Sequence, residues 1–209
     1  MSVSHVVLAI TGASGSVYGI RLAQELLRSG ATLTLLLSRS GAGVLRSECG
    51  MEWEGDEAEV REKMRGYFSA EPGRLFHYAA DNLFAPMASG SSAPDHLVVC
   101  PCSMGSLGRI AAGISGTLIE RTADVMLKER RPFVLVPRES PFNEIHLENL
   151  LKLARMGVRI VPAMPAFYHA PSSLDDLVDF VVGKVLDSMG VEHRLFKRWG
   201  SEEHKEPTQ

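Results

Sequence analysis

A single-domain α/β fold, with a doubly wound parallel sheet in three layers, is the class this sequence predicts, on three observations. Short apolar runs recur along its 209 residues, at 6–10, 33–37, 97–100, 133–136 and 158–161. Segments with a 3.6-residue apolar period lie between them. Two of the runs pass directly into turns rich in Gly and Ser. Runs this short, rich in Val and Leu and without polar alternation, suit strands buried on both faces of a parallel sheet. Helices between such strands imply right-handed crossovers and a layer on each side of the sheet.

Each element has its own signal. After the first strand, residues 18–29 place Ile20, Ala23, Leu26 and Leu27 on one helical face, and Gly30 stops the helix. Residues 51–64 carry six Asp or Glu side chains among few apolar ones, which predicts a solvated helix or surface excursion. Residues 87–95 form a small-residue loop just before the strand at 97–100. Asn143 is placed to cap a helix ending at Gly157, with Ile145, Leu147, Leu150, Leu151 and Leu153 as its buried stripe. Ser172 or Ser173 caps the last helix, in which Leu174, Leu177, Val178, Val181, Val182 and Val185 face inward and Gly190 is the stop. No repeat or linker divides the chain. Residues 1–191 are read as the domain and 192–209 as a polar tail that can dock only through Leu195, Phe196 and Trp199.

Composition removes several function classes. The chain is 45% hydrophobic and 22% charged, enough apolar material for one core. Twenty-two Lys and Arg against 25 Asp and Glu give a net charge of -3, which argues against nucleic acid as the main partner. No apolar run approaches the roughly 18 residues of a membrane span, and the first five residues lack the basic flank of a secretory signal. A soluble, cytoplasmic protein is expected. The three cysteines are odd in number, and Cys100-Pro101-Cys102 lacks zinc-site spacing, so reduced thiols and no metal are expected. Cys102 is disfavoured as a nucleophile because no His lies near it in sequence.

The first strand runs into Thr11-Gly12-Ala13-Ser14-Gly15-Ser16-Val17-Tyr18-Gly19 and a helix. Glycines permit a tight turn and close backbone approach, and a helix N-terminus offers free N–H groups to an anion or a polar ring edge, the Rossmann-like arrangement for a nucleotide or flavin. A short-chain dehydrogenase would need Tyr-x-x-x-Lys, which none of the four tyrosines provides. The second strand ends at Ser38-Arg39-Ser40, where an NAD site would place an acidic residue. A hydroxyl and a guanidinium there suit a phosphate, or are simply solvent-facing. Cys102-Ser103-Met104-Gly105-Ser106 repeats the strand-to-helix arrangement, so two loops can face each other across a switch point of the sheet. Arg121, Asp124 and Lys128 share one helix face, as an exposed ion-pair ladder or as anion ligands. Arg138 and Glu139 follow a buried strand at the same carboxyl edge, where Arg would suit a phosphate. Tyr168 and His169 follow the last strand, His169 with little claim as a base.

Taken together, 11–19, Ala88-Ser89-Gly90-Ser91, 100–105, 118–131, 134–139, His146-Leu147-Glu148-Asn149 and Phe167-Tyr168-His169 resemble the UbiX-type flavin prenyltransferases, over nearly the whole chain up to Trp199. That resemblance implies a flavoprotein fold and transfer of the dimethylallyl group of dimethylallyl monophosphate to N5 and C6 of reduced FMN, without a metal. The products would be phosphate and prenylated FMN, the cofactor of UbiD-type decarboxylases. It implies an FMN site of Gly12, Ala13, Ser14, Ser38, Ser103, Met104, Gly105, Ser106 and Arg138. The prenyl phosphate would meet Arg121, Lys128, Tyr168 and Lys184, some from neighbouring subunits of a homo-oligomer, a dodecamer by family likeness. Lys184 stands where the family often has Arg, and so lacks the bidentate fork.

For the chemistry, Glu139 is nominated as the proton shuttle for ring closure at C6, and the resemblance, rather than any spacing, implies Glu48 near Ser14 as the partner tuning protons around N5. Trp199 is a docking anchor or a cation-π face. Two other readings compete. An FMN-dependent cysteine decarboxylase of the same fold would carry a His in the first helix and a Pro-x-Met-Asn motif, whereas this chain has no His from Tyr18 to Gly30 and reads Ala85-Pro86-Met87-Ala88. A non-catalytic flavin carrier would bind FMN without turnover, and the basic cluster beside Glu139 argues mildly against it.

Overall fold

The computed structural model describes residues 4–199. Strands β1 (His5–Ile10), β2 (Thr32–Leu37), β3 (Leu75–Phe76), β4 (His96–Cys102), β5 (Phe133–Pro137) and β6 (Arg159–Ile160) form one parallel sheet, in the order β3-β2-β1-β4-β5-β6. The order reverses between β1 and β4. Seven helices cover it: α1 (Ser16–Arg28), α2 (Arg39–Cys49), α3 (Glu57–Phe68), α4 (Met104–Ala111), α5 (Leu118–Lys128), α6 (Glu144–Arg155) and α7 (Leu174–Met189).

Alternate residues of β1 feed two cores. Val6, Leu8 and Ile10 pack with residues of α1, α2, α3 and α7, whereas Val7 and Ala9 pack with α4, α5 and α6. Both faces are therefore dry, as the unbroken apolar runs require, and each fully buried Leu or Val contributes about 1.5–3 kcal/mol. This division places α5 and α7 on opposite faces of the sheet.

Several boundaries differ from the sequence expectation. α1 begins at Ser16, and β6 has two residues where four were expected. The acidic segment becomes α3, with a capping box of Asp56 and Glu59 and a footing of buried Val60 and Met64. α2 and β3 were not anticipated. α2 buries only Gly41 and Leu45, too few positions to print an apolar period, and β3 is two residues long.

Two burial expectations are corrected. Of the expected α6 stripe only Leu153 is buried, while Ile145, Leu147 and Leu151 are 65%, 54% and 51% exposed. The short β6 leaves little sheet for α6 to cover. Leu174 is also exposed, because the first residue of α7 precedes the turn that meets the sheet. Ser173 is the cap. Of the tail, Leu195 and Phe196 pack on the α1–α7 core, with Phe196 over Gly183, where a Cβ would lie 2.5 Å from the ring. The remainder of the tail, 200–209, lies outside the described residues.

Candidate active site

The loops after β1 and β4 are tied together by one hydroxyl. Thr11 Oγ1 donates to the carbonyl of Pro101 at 2.8 Å and accepts from the N–H of Ser103 at 2.8 Å. Both groups are shielded from water, so the bond holds the loops in fixed register across the switch point. Gly12 is needed there: a Cβ would lie 2.5 Å from that of Ser40, so only glycine lets the first loop press against the start of α2.

The N-terminus of α1 is not free for an anion, which corrects the sequence expectation. Gly15, at φ 105°, turns its N–H and that of Ser16 onto Glu48 Oε2, both at 2.9 Å. A carboxylate from α2 occupies the position that phosphate takes in a dinucleotide fold. Partial burial raises the Glu48 carboxyl. Hydrogen bonds from Ser14 and these two N–H groups, with the nearby Arg138 charge, outweigh it and hold the group below the usual carboxylate range.

The open N-termini are those of α2 and α4. Ser38 Oγ takes the Gly41 N–H at 2.9 Å and Ser103 Oγ takes that of Ser106 at 3.3 Å. The other first-turn N–H groups have no intrahelical partner. Between the two turns lies a cleft of about 270 Å³, lined by Gly12, Ser38, Ser40, Ser103, Gly105 and Ser106 among others. Arg39 lines it too. Hydroxyls, helix N-termini and a guanidinium are the donor set of a phosphate site. Ala13 and Met104 are buried beneath this edge, whereas Ser14 is exposed at its rim. The sequence reading missed the wall formed by Arg109, Thr117 and Glu120. Its signal was available: Arg109 is one turn from Gly105, and Thr117 with Glu120 makes a capping box.

Arg138 joins the end of β5 to the first loop, with Nε donating to the Ser14 carbonyl at 2.9 Å. Glu139, half-buried, accepts the N–H of Ser140 at 3.0 Å and makes no ion pair among the described residues. Cys100 and Cys102 are fully buried, and desolvation pushes the Cys102 thiol up to about 12, so neither is a nucleophile at neutral pH.

The four positions expected at the prenyl phosphate do not converge within one chain. Arg121 and Lys128 reach from α5 to the small-residue loop: Arg121 Nε donates to Ala88 O at 3.0 Å, and a Cβ on Gly90 would lie 2.7 Å from Lys128 Nζ. Arg121 also pairs with Asp124 at 2.7 Å and Lys128 with Glu129 at 2.5 Å. Lys184, near Asp187 at 3.7 Å, is on α7 across the sheet. Tyr168 packs edge-on against Phe180 of α7 at 5.7 Å and against Trp199 at 5.4 Å. Trp199 is 80% exposed. His169 stacks on Phe180 at 5.3 Å, and neither ring nitrogen has a hydrogen-bond partner among the described residues, which makes it a packing residue. No group of three or more His, Cys, Asp or Glu is placed to hold a metal ion among the described residues.

The Flavoprotein family profile matches residues 1–186. A protein of Halalkalibacterium halodurans named flavin prenyltransferase UbiX is 51% identical over 195 residues, 93% of either chain. Among solved structures, AnUbiX (PadA1) in complex with FMN and dimethylallyl pyrophosphate superposes with a TM-score of 0.83 at 38% identity, covering 94% of this chain and 97% of that one. A dodecameric FMN-dependent UbiX-like decarboxylase from Escherichia coli O157:H7 does so with a TM-score of 0.82 at 39% identity, over 93% and 98%.

Proposed function

The chain belongs to the Flavoprotein family, among its UbiX-type flavin prenyltransferases, and on that premise we propose that it joins the dimethylallyl group of dimethylallyl monophosphate to N5 and C6 of reduced FMN, releasing phosphate. The observation that carries this reading is the phosphate-type cleft at the switch point, with Arg138 bonded to the Ser14 carbonyl of the first loop. The cleft's hydroxyls and helix N-termini, with Gly12, Ala13, Ser14, Met104 and Arg138 around them, fit FMN.

Bound reduced FMN supplies the electron-rich atoms that take the prenyl group. The chain's own residues handle charge and protons. Arg121, Lys128, Tyr168 and Lys184 stabilise the negative charge that grows on the departing phosphate, and act best when oriented beforehand. Glu139 takes the proton lost from C6 and passes it to the phosphate. Glu48, anionic at neutral pH and held by the N–H groups of Gly15 and Ser16 next to Ser14, tunes the Ser14 hydroxyl as a proton relay toward N5. Trp199, edge-on to Tyr168, offers an aromatic face worth about 0.5–2 kcal/mol to an allylic cation.

Arg121 and Lys128 sit across the sheet from Lys184, and the exposed apolar side chains of α6 need a cover. Both features favour a homo-oligomer in which neighbouring copies complete the donor site, and a dodecamer is the proposed form. A UbiD-type decarboxylase is the proposed recipient of the product, in the cytoplasm. Among the described residues no helix is long and apolar enough to cross a membrane. A cysteine decarboxylase or a carrier is less well supported, given the identity to relatives named as prenyltransferases.

The test is anaerobic phosphate release from dimethylallyl monophosphate. It is expected only when reduced FMN is also present. Release without flavin would make the protein a phosphatase, and tight FMN binding with no release would make it a carrier.

A further inference from the structure

Arg109 lines the flavin cleft together with Ser40, Ser106 and Arg39. It stands four residues after Gly105 on α4, so the two share a helix face. A Cβ on Gly105 would meet nothing within 4 Å. The space over the first turn is therefore open to the side chain one turn later, and helical side chains lean back toward the N-terminus.

The guanidinium is aimed rather than loose. Its Nε and Nη2 donate to the two oxygens of Glu120, at 2.5 and 3.2 Å. Glu120 is itself fixed by the N–H groups of Gly116 and Thr117, at 2.8 and 3.0 Å. Gly116 leaves room for the pair, since a Cβ there would lie 3.3 Å from Arg109 Nη2. Burial raises the Glu120 carboxyl, but Arg109 and the two N–H groups more than reverse this, so the carboxylate stays ionised and holds the guanidinium in place. The Nη1 donors of Arg109 make no hydrogen bond among the described residues. An aimed guanidinium with spare donors, beside hydroxyls and an open helix N-terminus, is matched to a tetrahedral anion.

Resting on the flavin reading, we propose that Arg109 binds the phosphate of FMN and sets the preference of the cleft for FMN over riboflavin. A charge-assisted hydrogen bond of this kind predicts a loss of about 10- to 150-fold in FMN affinity when the charge is removed. The experiment titrates flavin-free protein with oxidised FMN and, separately, with riboflavin, following flavin fluorescence, in wild type, Arg109→Gln and Arg109→Lys. Gln retains a donor for Glu120 and is expected to weaken FMN by that factor while riboflavin binds as in wild type. Lys is expected to recover part of the loss. Unchanged FMN affinity in Arg109→Gln overturns the proposal. So does equal weakening of both flavins with Lys no better than Gln, which would make Arg109 a structural prop. A wild type that binds FMN no more tightly than riboflavin also contradicts it, and a wild type that binds neither overturns the flavin reading itself.

Discussion

The cleft between α2 and α4 and the basic positions of the donor site differ in how much of them one chain assembles. At the cleft, Thr11 fixes two loops to each other, Ser38 and Ser103 cap the helices behind them, and Arg138 closes the edge. All of it rests on strands at the centre of the sheet. The donor positions rest on peripheral elements, with Arg121 and Lys128 against the loop at 88–91 and Tyr168 and Lys184 on the α7 side. Within one chain they are held by local carboxylates or left exposed. The difference teaches that, on the proposed reading, the fold of one chain builds the flavin half, whereas the donor half calls for neighbouring copies.

The largest expected effect joins the halves. Glu139→Gln removes proton transfer but keeps the size of the side chain, so turnover should fall by about 10² to 10⁴ while FMN and donor binding persist. Single-turnover kinetics at saturating substrates measure this. A rate close to wild type would make Glu139 only a cap for the Ser140 N–H.

Next in size are the cations of α5. Arg121→Ala and Lys128→Ala should each raise the requirement for dimethylallyl monophosphate about 10- to 150-fold and leave FMN affinity unchanged. Were they an exposed ladder only, truncation would cost under about 1 kcal/mol of stability and leave the kinetics alone. The division between chains sharpens the prediction. At low dimethylallyl monophosphate, oligomers reassembled from a mixture of Lys128→Ala and Tyr168→Phe copies should be more active than either variant alone, because some sites then receive Lys128 from a Tyr168→Phe copy and Tyr168 from a Lys128→Ala copy. No recovery on mixing would place both residues in one subunit's site.

The smallest effect belongs to the cleft side. Glu48 lies below the usual carboxylate range in the folded protein, so its contribution to stability is present above the unfolded value of about 4.3 and is lost as pH falls through the lower folded value. Thermal unfolding of wild type and Glu48→Gln should therefore differ at pH 7 and converge in acid. A gap that is independent of pH would mean that the carboxylate charge does not hold the N-terminus of α1.

What was legible in the sequence follows the same division. β1, β2, β4 and β5 lie deep in the sheet, and their Val and Leu runs write their burial directly; so do the glycine and serine turns after β1 and β4. α2 was illegible because it buries two residues, and α6 was misread because its apolar period reports a face that one chain does not cover. The capture of the α1 N-terminus by Glu48, thirty-three residues after Gly15, depends on how α2 folds back over the first loop. No local spacing announces that. The separation of Arg121 from Lys184 likewise follows from which face each crossover takes.

The most direct test of the account is the mass of the flavin itself. After anaerobic incubation of the purified protein with reduced FMN and dimethylallyl monophosphate, with no metal added, the extracted flavin should be heavier than FMN by one five-carbon prenyl unit. Flavin of unchanged mass, recovered from protein to which FMN is demonstrably bound, would contradict it.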